Sequence, residues 1–134
     1  MVDYHTALVY TMVLVSAADG DMTDNELIRI GETIEYLPIF GDYDGSRLTE
    51  TAAACAEILS GADGFERTLD QILTGLPAKL AETAYVLACD VAAADGRVKQ
   101  EESRLLEMLR DRLQLDRLAA AAIERAARAR YQTL

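Results

Sequence analysis

From Ala7 to Ala18 the chain is apolar at almost every position. That is the pattern of a helix buried on all sides. With Asp3 or Thr6 as cap, it predicts a helix over residues 3–18. A second such stretch predicts a helix over 78–94. Leu80, Ala84, Leu87, Ala88 and Val91 share one face there, and Val86, Cys89 and Ala92 widen it. The remaining predicted helices carry one apolar stripe each. Leu27, Ile30, Ile34 and Leu37 follow a Thr23–Glu26 capping box, and Pro38 stops that helix. Leu48, Ala52, Cys55, Ala56 and Leu59 predict a helix over 46–60. Phe65, Leu69, Ile72 and Leu73 predict a short one over 65–74. Leu105, Leu106, Leu109 and Leu113 lie within a predicted helix over 99–113. Asp116 caps a last helix with Leu118, Ala122, Ile123 and Ala126 facing inward. No stretch alternates with period two. The expectation is an all-α bundle of about seven helices in one domain over residues 1–134.

The breaks after the two apolar helices repeat a motif. Ala18-Asp19-Gly20-Asp21-Met22-Thr23-Asp24-Asn25-Glu26 and Ala94-Asp95-Gly96-Arg97-Val98-Lys99-Gln100-Glu101-Glu102 both read Ala-Asp-Gly-x-apolar-x-x-x-Glu. The spacing from Asp to Glu matches the second half of an EF-hand calcium loop. The first half is missing, because its first two ligand positions fall on Val15 and Ala17, and on Val91 and Ala93. A calcium ion takes six to eight oxygens, so a site must pool carboxylates from both turns. Asp90 is the natural addition, since it interrupts an apolar helix shortly before Asp95; its counterpart is Leu14. The same residues also have a purely structural reading. Gly after a helix, Asp before Gly, and Glu in a first helical turn are ordinary end chemistry. The Thr23–Glu26 box accounts for the first copy. In the second, Lys99 stands at the cap and has no acceptor, which leaves Asp95 and Glu102 without a capping role.

Charge sharpens this picture. The chain of 134 residues has a net charge of −10. Its first 74 residues hold fourteen Asp and Glu against three Arg, and the rest hold nine against ten Lys and Arg. An acidic surface disfavours nucleic acid and anionic lipid, and suits cations or basic partners. Arg125, Arg128 and Arg130 sit in the last turns of the final helix, where positive charge suits the dipole. Cys55 and Cys89 lie in Ala-rich helical patterns and read as free buried thiols in a reducing compartment. No stretch is long and apolar enough for a bilayer, and nothing follows Met1 that looks like a secretion signal. His5 reads as a partly exposed residue rather than a ligand. Ile39, Phe40 and Tyr43 offer a docking patch or, more simply, core packing. One His gives no Ser-His-Asp or Cys-His arrangement, and there is no Glu-x-x-His, Cys-x-x-Cys or Gly-rich phosphate loop. The expectation is that the chain is not an enzyme.

The run Leu87-Ala88-Cys89-Asp90-Val91-Ala92-Ala93-Ala94-Asp95-Gly96-Arg97-Val98-Lys99-Gln100-Glu101-Glu102-Ser103-Arg104-Leu105-Leu106, followed by Leu109 and Leu113-Gln114-Leu115, resembles the TerB-like family of tellurite-resistance proteins. The first turn, with Ser16-Ala17-Ala18-Asp19-Gly20 before it, repeats the motif. The resemblance extends over essentially the whole chain. It implies a compact helical domain with two pseudo-symmetric hairpins. It further implies acidic residues proposed to bind a divalent cation such as Ca²⁺, and a stress-response role through protein partners at a membrane-associated complex in the cytoplasm. By position, the metal residues it suggests are Asp90, Asp95 and Glu102 in the second hairpin, with Asp19 and Glu26 in the first. Leu14 opposite Asp90 breaks the symmetry. The competing expectation is a non-catalytic interaction scaffold whose acidic residues only cap helices.

Overall fold

The computed structural model describes residues 1–18, 20, 22–94 and 96–134. Helix α1 (Tyr4–Ser16) is its axis, and every residue from Ala7 to Ser16 is buried. Asp3 caps it by accepting the Thr6 amide at 2.8 Å. A helix with no solvent face must be surrounded. Helices α3 (Leu48–Ser60), α4 (Gly64–Gly75) and α5 (Ala81–Ala93) pack directly on α1. Helices α6 (Gln100–Arg112) and α7 (Arg117–Arg130) pack on α5, and α2 (Asp24–Tyr36) crosses the remaining side of α1. Among the described residues there are seven α-helices and no strand. Leu8, Val9, Met12 and Val13 of α1 join Ile72, Leu87 and Leu109 in one core. Each such side chain contributes about 1.5–3 kcal/mol on burial.

Small residues let the helices close up. A Cβ at Gly64 would fall on the backbone carbonyls of Ile58 and Leu59, so the start of α4 meets the end of α3 backbone to backbone. Buried hydroxyls bond back along their own helices: Thr11 Oγ1 donates to the Ala7 carbonyl at 2.8 Å, and Thr68 Oγ1 to that of Gly64 at 2.8 Å.

The structure moves two predicted helix starts. The segment before Leu48 is a 3₁₀ turn (Gly45–Arg47), because the Asp44 carboxylate accepts both the Ser46 amide and its hydroxyl, at 3.0 and 2.7 Å. After Pro77, residues Ala78–Leu80 likewise form a 3₁₀ turn before α5. Ala56 is exposed rather than part of the α3 stripe. The inward face of α7 is also different. Leu118 is 80% exposed, Ala122 and Ala126 face solvent, and Ala120 and Ala127 are buried instead. Polar bonds set this rotation. Glu124 Oε2 accepts the Tyr85 hydroxyl at 2.6 Å and Arg110 Nη1 at 3.0 Å. His5 is more enclosed than expected, with a side chain 12% exposed. It lies among Tyr4, Phe40 and Tyr43, and its Nε2 sits 2.8 Å from the Ile39 carbonyl oxygen. Phe40 is buried, so the linker packs rather than presenting an apolar patch.

Tyr85→Phe removes one donor from Glu124. It is expected to lower the unfolding free energy by about 1.5–3 kcal/mol, the range for a hydrogen bond to a charged group, as read by urea titration. A loss near zero would show that the bond does not orient α7. Cys55 and Cys89 are free and buried, and burial pushes both thiols up to about 12. Such thiols stay neutral and inert at physiological pH. Native protein is expected to react slowly with a thiol-specific disulfide reagent, and unfolded protein to release two thiols quickly. Prompt reaction of the native protein would contradict this.

Candidate functional site

The two repeated turns share the same backbone bonds. After α1, the Gly20 amide donates to the Ala17 carbonyl at 3.1 Å; after α5, the Gly96 amide donates to that of Ala93 at 2.9 Å. Gly20 (φ +146°) and Gly96 (φ +83°) both hold conformations that a Cβ would strain. Each turn then starts a helix on a glutamate. Glu26 Oε1 accepts the Thr23 amide at 2.9 Å, and Thr23 Oγ1 accepts the Glu26 amide at 3.2 Å. Glu102 Oε1 accepts the Lys99 amide at 3.0 Å. The Lys99 ammonium has no lone pair, so the second turn has only the return half of a capping box. This corrects the sequence reading, in which Glu102 had no capping role. The two glutamates differ in burial: Glu26 is half-buried, whereas Glu102 is 7% exposed.

Glu26, Asp90 and Glu102 line one cavity of about 730 Å³ between the two hairpins. Met12, Ile30 and Leu87 form its apolar floor, with Arg29 and Lys99 among its other walls. Ser16, in the last turn of α1, also lines it and is 1% exposed. Its Oγ is the one buried side-chain polar atom among the described residues without a hydrogen-bond partner. Such a group costs about 1–3 kcal/mol unless something in the cavity satisfies it.

Asp90 Oδ2 accepts Arg130 Nη1 at 2.7 Å, from the last turn of α7. Burial raises the Asp90 carboxyl above its ordinary range, and Arg130 opposes this without cancelling it. A cation beside Asp90 would favour its ionised form. The donor set is all oxygen: three carboxylates and one hydroxyl, with His5 committed elsewhere and both thiols inert. That chemistry fits a hard cation of the calcium, magnesium or manganese type rather than zinc.

Three of the five sequence-predicted metal residues therefore share one cavity. The other two, Asp19 and Asp95, lie outside the described residues. Among the described residues no three Asp, Glu, His or Cys side chains gather closely enough to hold an ion by themselves. Sequence reasoning missed Ser16 and Arg130. The only signal for Ser16 was a hydroxyl at the end of an otherwise apolar run.

No described helix is long and apolar enough to cross a membrane. Comparison with curated proteins and with solved structures finds no match. A family model described as tellurite resistance protein TerB matches residues 5–129. That match takes in all seven helices up to the last turn of α7, with both acidic turns, and the chain belongs to the TerB family.

Proposed function

We propose that this chain is a non-catalytic, divalent-cation-binding module of a cytoplasmic stress-response assembly, acting through protein partners at a membrane-associated complex. One observation carries the reading: Glu26, Asp90, Glu102 and the unpartnered hydroxyl of Ser16 line the same cavity. These residues would hold the ion, with Asp19 and Asp95 of the two turns as the further carboxylates that a six- to eight-oxygen ion needs. The ion would supply positive charge between two acidic hairpins and so tie them together. The glutamates would hold their helix starts and the ion at once.

The competing scaffold reading also has an observation in its favour. Both glutamates already accept a backbone amide at a helix start. Gln substitution separates the two readings, because an amide oxygen still accepts that bond while the charge is lost. Thermal melts with Ca²⁺, Mg²⁺, Mn²⁺ and Zn²⁺ would compare the wild type with Glu26→Gln plus Glu102→Gln. At a hundredfold excess over its dissociation constant, a bound ion should stabilise the wild type by about 2.7 kcal/mol and the double variant far less. No shift with any ion, or equal shifts in both proteins, would leave the glutamates as caps. The scaffold reading then expects the same protein partners with and without chelator.

A further inference from the structure

The cavity between the hairpins has room for more than an ion. Its volume of about 730 Å³ is that of a site for an organic ligand or for several side chains. Among the described residues four carboxylates line it, those of Glu26, Glu32, Asp90 and Glu102, against the basic side chains of Arg29 and Lys99. The carboxylates stand apart around a floor of Met12, Ile30, Leu87 and Val91. A ligand with several separate positive groups can meet such carboxylates one at a time. Ser16 is an independent sign of a ligand. It lines the cavity, is 1% exposed and leaves its hydroxyl without a partner, where Thr11 on the same helix bonds back to Ala7. Asp90 shows which donor this wall accepts, because it already takes one guanidinium, Arg130 Nη1 at 2.7 Å.

The surface continues along α2. Ile28, Glu32 and Tyr36 are four residues apart and share one face. Glu32 and Tyr36 line the cavity, and Ile28 stands one turn away. Ile28 is 58% exposed and Tyr36 82%, although both are large and apolar. Asp24, Glu32 and Glu35 of the same helix are exposed beside them. Apolar and acidic groups mixed in this way match Lys and Arg, whose methylene stems lie on apolar surface while the charge stays at the tip. The Tyr36 ring offers its face to the same cations.

We infer that the cavity and the adjoining face of α2 form a docking groove for a basic segment of a protein partner, with its Lys or Arg stems on the apolar floor and its charged heads at the carboxylates and Ser16 Oγ. This rests on the reading that the chain acts through protein partners, and it needs no bound ion. Charge complementarity of this kind sets which partner is chosen and how fast it arrives.

The test is calorimetric titration of the full chain in EDTA, at about 0.15 M salt, where distant surface charges are screened. The probes are acetylated, amidated hexa-arginine, hexa-lysine and hexa-glutamate, with spermine as a cation that is not a peptide. The wild type should bind the two basic peptides and not hexa-glutamate. Ser16→Ala deletes an unsatisfied hydroxyl, so its fold is not at risk; it should bind about tenfold more weakly, as for a lost hydrogen bond to a charged group. Tyr36→Ala, at an exposed position, should lose about fivefold or more, the mark of a contact that matters at an interface. Glu57→Gln plus Glu82→Gln removes two exposed charges that do not line the cavity and should stay near the wild type. No binding of either basic peptide would overturn the inference. So would equal weakening in the Glu57/Glu82 variant and the cavity variants, which would mean surface charge alone. Spermine binding as tightly as the peptides, with no loss in Tyr36→Ala, would replace the protein partner by a small polyamine and overturn it too. An ion-induced shift in the thermal melts without peptide binding would overturn this inference alone; peptide binding without any such shift would support it and overturn the ion reading alone.

Discussion

The complete burial of α1 is the constraint on which the rest of the structure depends. Ten consecutive residues, from Ala7 to Ser16, are buried. Three helices therefore press on α1, and two of them, α3 and α4, meet each other backbone to backbone at Gly64. The same constraint creates the polar feature of the cavity. Threonines within buried helices satisfy their hydroxyls on their own backbone, as Thr11 and Thr68 do. Ser16 stands in the last turn of α1, at the edge of the core, and makes no such bond. The axis of the fold thus delivers an unsatisfied oxygen to the cavity where the carboxylates stand.

Under the proposed reading, those carboxylates would have two roles that do not compete. A glutamate that returns to its own helix start uses one oxygen for the backbone amide, which ties its side chain to that turn. The repeated turn does this twice, with Glu26 half-buried and Glu102 almost wholly buried. A buried carboxylate is costly unless partnered, and Glu102 has at least the Lys99 amide as a donor. If the ion binds as proposed, the structural and the binding interpretations of the motif would be layers of one arrangement.

Much of this was legible in the chain. The all-round apolar runs marked α1 and α5 as central, and the capping box marked the start of α2. The face of α7 was not legible, for a physical reason. Ala119 to Ala122 give no contrast between faces, so Leu118 draws the stripe toward itself. In the fold, Glu124 bonds to Tyr85 and Arg110, Ala120 and Ala127 are buried, and Leu118 is left in water. Arg130 read as a dipole partner because its real partner, Asp90, is forty residues away in sequence. Ser16 was hidden by the tolerance of apolar helices for a single hydroxyl. Such features depend on long-range placement, which local periodicity does not encode.

The central claim is that a hard cation binds between the two hairpins, and paramagnetic Mn²⁺ tests it most directly. Amide signals near a bound Mn²⁺ broaden steeply with distance in a nitrogen–proton correlation spectrum. At substoichiometric Mn²⁺, the expected result is selective loss of the amides of Ser16, Glu26, Asp90 and Glu102, with those around Tyr4 and Tyr43 retained. Broadening spread evenly over exposed carboxylates such as Asp44, Glu57 and Asp70, or none at all, would contradict it.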